Sequence, residues 1–429
     1  MAQAGEQRGE HQAPKAAQRG CESVSLQSTE VDFQQQNQQA MIHSEKVRAL
    51  LAAIDPKRYG KTRNYISGSV SELGPYVSRG VLTTRQIWTY LLSRGHSFEE
   101  VFGFVQQLAW RDFFQRVWMG LGDGINADIR GDQQGVKHTA VPAAIAAGTA
   151  GIEGIDVGIQ RLLTTGYLHN HQRMYTAFLT CNLAGAHWKL PAQWMYAHLL
   201  DGDWGSNALS WQWVAGTFSN KKYIANQENI NRYTHTHQRG TYLDVEYEQL
   251  AGAPVPGVLE TTVEADAVLP FSDCDAAAWH KAIEKQGLRL WDPQSAVIEN
   301  RVVLHNYYQL SPSFASEMPG TRILLLEPRV FAQYPIAAHC VEFMVSLAAE
   351  IHDLHVFVGE FGALQTALRS FGEVEIVYQE HPLNRHYKGT EIPRDWLAPE
   401  VEGTFSSFFS YWKKVEKSLR KEYKEIRGY

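Results

Sequence analysis

Cysteines are scarce in this sequence and lie far apart. The chain contains four of them, Cys21, Cys181, Cys274 and Cys340, and none belongs to a C-x-x-C pair. This spacing argues against a zinc site and against a disulfide framework, and it predicts reduced thiols. We therefore expect no metal centre in this protein.

The chain also lacks a long apolar run. No stretch approaches the roughly 18 consecutive apolar residues of a membrane span, and the N-terminus lacks the charged and then apolar pattern of a secretory signal. The 429 residues, 44% of them hydrophobic, are sufficient for two domains with sizeable cores. These features predict a globular cytoplasmic protein without membrane contact.

An excess of positive charge is missing as well. The formal net charge is −6 and the pI is about 6.3, so no overall positive field attracts the protein to DNA, and any DNA contact must be local. Basic clusters are usually solvated surface charge, but each is also a candidate for a local contact. The clusters are Lys57, Arg58, Lys61 and Arg63, and Lys221 with Lys222.

Composition divides the chain into parts. Residues 1–42 are rich in Gln, Ala, Glu and Ser, which predicts a disordered tail. Residues 43–250 predict a helical domain, because apolar residues recur at every third or fourth position. The clearest helical patterns cover residues 84–93, 98–117, 155–164, 173–183 and 192–200.

The pattern changes after residue 250. Residues 251–320 begin with A-G-A-P-V-P-G and predict a linker and connecting segment. Short apolar runs separated by helical patterns then predict buried parallel strands at 322–327, 354–359 and 374–378. Residues 321–429 thus predict a smaller α/β, Rossmann-like module. Its last helix, over 406–427, is amphipathic and is expected to pack on the sheet or to offer a basic face to DNA or a partner.

Residues 201–213, D-G-D-W-G-S-N-A-L-S-W-Q-W, are the most unusual run. Two carboxylates, an amide and three indoles within thirteen residues are suited to hold a flat ring system. An acidic turn leading into a Trp-rich core helix would give the same pattern. A second run, G-Y-L-H-N-H-Q-R-M at residues 166–174, lies upstream and begins another predicted helix.

Together the two runs resemble the flavin pocket of the photolyase/cryptochrome family, with its G-W/Y-x-H-N-x-x-R-M and D-G-D-x-x-x-N-x-x-x-W-Q-W segments. Residues 69–76 (S-V-S-E-L-G-P-Y) are similar to the family's T-S-x-L-S-P-Y phosphate loop, and residues 107–114 (Q-L-A-W-R-D-F-F) to its E-L-x-W-R-E-F-Y helix. The resemblance implies a multidomain protein, with an all-α FAD-binding domain of photolyase type followed by the α/β module. The family usually has its α/β antenna domain first.

The resemblance implies FAD as the cofactor and leaves a second, antenna chromophore unidentified. Ser71 and the backbone of Leu73 would hold the pyrophosphate, and Asn207 would face flavin N5. Arg173 and Asp201 would pair beside the ring, or form a purely structural salt bridge. The residues implied to bind FAD are Tyr59, Ser71, Leu73, Gln107, Arg111, Asn170, Arg173, Asp201, Asp203 and Asn207.

Lesion recognition is implied for Trp110, Met174 and Trp213, although Trp213 is equally suited to a core. Gln107 stands where the family's cyclobutane-dimer enzymes have Glu, and Asn170 stands where the (6-4) branch has a catalytic His. The first substitution argues against cyclobutane-dimer repair and the second against (6-4) repair.

Trp211 and Trp188 match the proximal and middle members of the family's electron chain. The distal Trp has no counterpart, which leaves Trp194, Tyr196 or Trp118 as the end of the chain. The residues implied for the chemistry are Trp211, Trp188, Asn207 and Gln107.

We therefore expect a light-dependent DNA repair flavoprotein, a photo-lyase that splits cyclobutane pyrimidine dimers in single- or double-stranded DNA by electron transfer from excited reduced FAD. The alternatives are a cryptochrome-like blue-light photoreceptor without repair activity, (6-4) lesion repair, and a separate ligand-binding task for the α/β module.

Overall fold

The computed structural model describes residues 44–428, except residues 220, 271–275 and 299. The disordered tail predicted for residues 1–42 lies outside the described residues. Ile42–Tyr429 forms one compact unit. None of the described helices is long and apolar enough to cross a membrane. The described residues also contain no group of three or more His, Cys, Asp or Glu side chains placed to bind a metal ion.

The first part of the described chain is helical, because its periodic apolar residues give each helix a face to bury. The long helix α5 shows how such a helix begins. The Ser97 hydroxyl accepts a 3.3 Å hydrogen bond from the N–H of Glu100, whose carboxylate accepts one of 3.1 Å from the N–H of Ser97. The helices are α1 (Glu45–Ala52), α2 (Pro56–Thr62), α3 (Gly74–Ser78), α4 (Thr84–Ser93), α5 (Phe98–Leu121), α6 (Ala143–Ala147), α7 (Glu153–Thr165), α8 (Asn170–Ala177), α9 (Lys189–His198), α10 (Trp204–Ala215), α11 (Gln227–Thr234) and α12 (Tyr247–Leu250).

The helix predicted over residues 173–183 is two elements in the structure. Helix α8 ends at Ala177, and a π-helical turn, Phe178–Leu183, continues it. The N–H of Ala184 donates to the carbonyl of Leu179, five residues back, instead of four. The apolar spacing of a sequence does not reveal such an insertion, which explains why one helix was predicted.

The second part contains a parallel sheet whose strand order is β3-β6-β5-β4-β7-β8. Its strands are β3 (Arg289–Leu290), β4 (Arg301–His305), β5 (Thr321–Leu326), β6 (Leu354–Val358), β7 (Glu375–Gln379) and β8 (Thr390–Ile392). A short antiparallel pair, β1 (Val141–Pro142) and β2 (Thr262–Val263), lies earlier in the chain. The helices of this part are α13 (Ala265–Val268), α14 (Ala276–Lys285), α15 (Pro328–Gln333), α16 (Ala338–Ala348), α17 (Phe361–Leu368) and α18 (Phe408–Arg427).

Strand β4 is central in this sheet, pairing with β5 on one side and β7 on the other. The part of the chain predicted as a linker and connecting segment, residues 251–320, thus contains a strand of the sheet, Arg301–His305. Its three apolar residues, flanked by Arg and His, are too short a run to distinguish a buried strand from a loop. Only pairing on both sides reveals it.

The chain winds from β4 outward through β5 to β6, then crosses to β7 on the other side of β4. The carboxyl ends of β4 and β7 thus form the crevice where open α/β sheets bind ligands. In this protein, its own side chains fill that crevice. Gln309 donates to Gln379 (2.8 Å), and Tyr308 stacks on His381 with ring centroids 4.4 Å apart. Nearby, a cavity of only about 20 Å³ lies beside Glu327.

This edge of the sheet docks on the helical part. Buried Arg79 donates to the backbone carbonyls of Tyr307 (3.1 Å) and Gly202, and the hydroxyls of Tyr196 and Tyr308 are 2.8 Å apart. Arg79 therefore connects the sheet directly to the residue after Asp201.

Helix α18 packs on α5 of the helical part, and the prediction that it packs on the sheet is wrong. Two hydrogen bonds of 2.8 and 2.7 Å join Glu422 to Arg85 of the neighbouring helix α4. On α5 itself, the ring of Phe102 packs against Trp412 of α18, with ring centroids 5.5 Å apart. Phe408, the first residue of α18, is buried. The helix is thus held against the same helix, α5, that carries Gln107 and Trp110.

Candidate functional site

Two cavities, of about 550 and 560 Å³, meet in the helical part. The first, here the loop cavity, is lined by residues 70–72 and 74–76 and by the start of α8. The second, the tryptophan cavity, is lined by Trp110, Trp211 and Trp213. The two cavities share Gln107, Asn170, Arg173 and Asp201. Each cavity has a volume within the range of about 300–1,000 Å³ that is usual for cofactor and ligand pockets. Because the two cavities meet, they suit a large, bent cofactor.

Arg173 and Asp201 form an ion pair at this junction. The Arg173 Nη2 lies 2.9 Å from both Asp201 carboxylate oxygens, and its Nε donates to the carbonyl of Leu168 at 2.8 Å. The Ser78 hydroxyl holds the backbone of Asp201 in place by donating a 2.7 Å hydrogen bond to its carbonyl. The pair predicted from the sequence is thus formed, and its charges face both cavities.

The loop cavity is rich in cationic side chains. Lys46, Arg63 and Arg161 line it together with Arg173, whereas Glu72 and Asp201 are its acidic residues. This excess of positive charge suits phosphate groups. Ser71 and Tyr59 also line this cavity, and burial raises the pKa of Tyr59 to about 12. Tyr59 therefore stays a neutral hydrogen-bonding group.

The segment before α3 has unusual backbone geometry. Glu72 has a φ of 53°, in the left-handed region that favours glycine. Gly74 allows a close approach, since a Cβ there would lie 2.9 Å from Asp201 Oδ2. The family's usual Ser at this position would press on the Arg173–Asp201 pair, which explains the glycine.

Two of the residues implied to bind FAD, Leu73 and Arg111, do not line the loop cavity. Leu73 is buried behind the cavity, and its N–H donates to the Ser71 hydroxyl at 3.4 Å. Arg111 lines the tryptophan cavity and donates to Ser78 at 2.7 Å. The sequence grouped both with the loop because it could not show which wall each faces.

Asn207 and Asp203 lie on the wall of the tryptophan cavity. The Nδ2 of Asn207 donates to the carbonyl of Ala192 at 2.8 Å, which leaves Oδ1 without a hydrogen-bond partner among the described residues. Asp203 caps helix α10, accepting 2.7 Å hydrogen bonds from the N–H of Ser206 and from Gln115. Asn207 therefore offers a hydrogen-bond acceptor to the cavity, whereas the Asp203 carboxylate already accepts hydrogen bonds from other residues of the protein.

The predicted lesion-facing residues Trp110, Met174 and Trp213 all line the tryptophan cavity. Trp213 is 39% exposed and is therefore not a core residue. The amide of Asn170 lies 3.6 Å from the sulfur of Met174. Gln107, which the resemblance implies in the choice of lesion, lies where the two cavities meet.

Trp211 is on the cavity wall, whereas Trp188 is fully buried behind it. The indole N–H of Trp188 donates to Asp128 at 2.7 Å, and its ring centroid lies 6.4 Å from that of Trp204. Trp204 in turn contacts Tyr196 at 5.7 Å. Of the three candidates for the end of the electron chain, Tyr196 is thus connected to Trp188 through Trp204.

His169 and His171 have structural surroundings. His169 Nδ1 accepts the N–H of His171 at 3.2 Å at the start of α8, and its Nε2 donates to the carbonyl of Arg63 at 3.0 Å. Burial lowers the pKa of both rings, that of His171 to about 4. They are therefore neutral at pH 7 and unsuited as an acid pair.

Sequence reasoning missed several residues of the cavity walls, and three of them are informative. Arg161 lies on α7, one turn before the G-Y-L-H-N run, and its charge was the only available signal. Phe343 on α16 and Phe409 on α18 come from the second part of the chain. No local sequence pattern predicts that these two rings line a cavity of the helical part.

Residues 104–266 match the family model described as the FAD binding domain of DNA photolyase. The resemblance is thus confirmed over this stretch of the chain, which is similar to the FAD-binding domain of the photolyase/cryptochrome family. It includes α5, α8 and α10, which form most of the tryptophan cavity.

Several curated proteins are similar. The deoxyribodipyrimidine photo-lyase of Alkalihalophilus pseudofirmus is 28% identical over 189 residues, 43% of this chain and 39% of that protein. The mitochondrial deoxyribodipyrimidine photo-lyase of Saccharomyces cerevisiae is 31% identical over 169 residues, 35% of this chain and 29% of that protein. Cryptochrome DASH of Gloeobacter violaceus is 28% identical over 214 residues, 48% of this chain and 42% of that protein. The chain therefore spans less than half the length of these relatives.

Two solved structures are also similar. A class III photolyase from Agrobacterium tumefaciens has a TM-score of 0.39 and 22% identity, covering 44% of this chain and 43% of that one. The cryptochrome of Synechocystis sp. PCC6803 has a TM-score of 0.40 and 24% identity, covering 50% of this chain and 47% of that one.

Proposed function

We propose that this protein binds FAD and uses light to split cyclobutane pyrimidine dimers in DNA. One observation carries the proposal: a single open cavity combines the Arg173–Asp201 pair and the free acceptor of Asn207 with the indoles of Trp110 and Trp213. Polar groups that suit a flavin and aromatic rings that suit a base thus line the same cavity.

The walls of the two cavities fit FAD. The cationic residues of the loop cavity suit its pyrophosphate, and Gly74 keeps the space beside Asp201 open. Asn207 presents its Oδ1 to the tryptophan cavity and adds no charge. Bound in the reduced state, FAD would supply the light-driven electron that opens the dimer.

In this proposal, the aromatic residues of the cavity bind the substrate. A pyrimidine dimer must leave the duplex stack to reach a buried cofactor, and aromatic side chains compensate for the lost stacking by about 1–3 kcal/mol per base. Trp110 and Trp213 line the cavity that such a lesion would enter, and Met174 lines it too.

Gln107 favours a second function, a cryptochrome-like photoreceptor without repair activity. A neutral amide cannot provide the proton or the charge that a carboxyl group offers to a lesion radical. Gln107 also leaves (6-4) repair as a further alternative, although Asn170, which stands where that branch has a catalytic His, argues against it.

The decisive experiment illuminates the purified, FAD-loaded full chain with oligonucleotides that contain one cyclobutane dimer, single-stranded and duplex. Restored thymines are measured by chromatography, with dark samples and (6-4) oligonucleotides in parallel. Thymine recovery in light alone supports the proposal. Photoreduction of the flavin without thymine recovery contradicts it, and turnover of the (6-4) substrate assigns the alternative lesion.

A further inference from the structure

The chain places an exposed aromatic ring at the tryptophan cavity from outside the family-matched stretch. Phe409, the second residue of α18, lines this cavity and is 70% exposed, whereas its neighbour Phe408 is 3% exposed. An exposed phenylalanine alone needs no explanation. This one shares its cavity with the partly exposed Trp213, so two accessible rings from distant segments belong to one cavity.

An exposed lysine lies close to each of these two residues along the backbone. Lys413 follows Phe409 by one turn on the same face of α18, about 6 Å along the axis. Lys221 is tied to Trp213 through Ser219, whose hydroxyl donates to the carbonyls of Trp213 (3.0 Å) and Lys221 (2.7 Å). Within the described residues, neither lysine forms an ion pair.

The rest of α18 leaves this positive charge unneutralised. Its acidic residues are engaged elsewhere, since Glu416 pairs with Arg420, Glu422 with Arg85 and Glu425 with Lys421. Long side chains of a helix also lean toward its N-terminus, which directs Lys413 toward Phe409.

We propose that a DNA strand crosses the mouth of the tryptophan cavity between two pairs, Phe409 with Lys413 and Trp213 with Lys221. The rings stack on the bases that flank the extruded lesion, and the lysines neutralise the adjacent phosphates. This inference rests on the proposed function and assigns to α18 a part of the substrate site. It also accounts for DNA binding by a protein with a net charge of −6.

The test measures dark binding of dimer-containing and undamaged oligonucleotides to the FAD-loaded full chain over a series of salt concentrations. Phe409→Ala is expected to weaken binding of the dimer DNA about tenfold with an unchanged salt dependence, because stacking is lost. Lys413→Glu is expected to weaken binding and to reduce the slope of log affinity against log salt by about one, because one phosphate contact is lost.

Two matched variants serve as controls. Lys424→Glu makes the same charge reversal on the same helix, about 22 Å from Phe409, and Ile426→Ala removes an apolar side chain that is 44% exposed. Neither control should change the affinity or the salt slope. Equal losses in the controls would indicate a general charge or stability effect and would overturn the inference.

The remaining outcomes separate the two proposals. Wild-type DNA binding that is unchanged in Phe409→Ala and Lys413→Glu overturns the role of α18 alone. Binding that these variants weaken, without thymine recovery in light, supports the role of α18 and contradicts repair. Absence of DNA binding by the wild type overturns both.

Discussion

Trp110 and Phe408 lie face to face, with ring centroids 3.7 Å apart and planes 8° from parallel. Trp110 belongs to α5 of the family-matched stretch and Phe408 to α18, about 300 positions later in the chain. One face of the indole is thus covered by the second part of the protein, and the remaining surface contributes to the tryptophan cavity. The position of this predicted lesion-binding residue therefore depends on α18.

The neighbours Phe408 and Phe409 are expected to respond differently to substitution. Phe408→Ala removes a buried ring and should lower the free energy of unfolding by about 3–5 kcal/mol. Phe409→Ala should change it by less than about 0.5 kcal/mol, because the ring is exposed. Denaturant unfolding measures both values. Similar losses in the two variants would show that Phe409 is part of the core after all.

Breaking the Arg173–Asp201 pair should weaken FAD binding. Asp201→Asn removes the charge that holds Arg173 between the cavities, and hydrogen bonds to charged groups contribute about 1.5–3 kcal/mol. We expect the FAD dissociation constant to rise at least about tenfold, as measured by flavin fluorescence titration. Asp244→Asn is the control, since it breaks an ion pair with Arg239, which is 74% exposed. Undiminished FAD affinity in Asp201→Asn would contradict the site.

Gly74 should not tolerate a side chain. In Gly74→Ser the new Cβ lies 2.9 Å from Asp201 Oδ2, so either the loop or the ion pair must move. FAD affinity should fall about tenfold, by the same loss of charged hydrogen bonds. Gly60→Ser is the matched control because no atom lies within 4 Å of a Cβ there. Equal affinities of the two variants would show that the loop absorbs the change.

Gln107→Glu tests the lesion preference. A carboxyl group at this position can accept a hydrogen bond as a carboxylate or, when protonated, donate a proton to an anionic substrate. If cyclobutane dimers are the substrate, the yield of restored thymines per absorbed photon should rise several-fold, with FAD binding unchanged. Gln106→Glu, on the neighbouring residue outside both cavities, should have no effect. A lower yield in Gln107→Glu would favour a lesion that needs the amide.

Acid should destabilise the protein through His305, a fully buried residue of β4. Burial and the nearby Arg322 lower its pKa from 6.5 to about 3. Between these values the unfolded chain binds the proton and the folded chain does not, so stability is complete above pH 6.5 and falls as the pH decreases. One such group contributes a slope of about 1.4 kcal/mol per pH unit.

Urea unfolding between pH 7 and pH 4 measures this slope. His305→Gln should reduce it, and a smaller slope should remain because burial also lowers the pKa of His198 and His381. His352→Gln, whose side chain is 92% exposed, should leave the slope unchanged. An identical slope in wild type and His305→Gln would show that His305 is protonated in the folded protein.

Local sequence patterns determined several helices and strands of this protein. The helix over Thr84–Ser93 was predicted with its observed bounds, and the strand at Leu354–Val358 within one residue. Apolar spacing is sufficient there because a helix or strand buries a face that its own residues define. Four short motifs in order were also sufficient to indicate the family whose model matches residues 104–266, a stretch that contains three of them.

Long-range packing decided the rest. Strand β4 exists because β5 and β7 pair with it, and Asn207 presents its Oδ1 because Ala192 binds its Nδ2. Phe409 reaches the tryptophan cavity because α18 packs on α5. Each relationship joins residues far apart in the chain, and side-chain contacts of this kind have no period that a sequence could display. The sequence therefore determined what the helical part could bind, whereas the tertiary structure decided which residues form its walls.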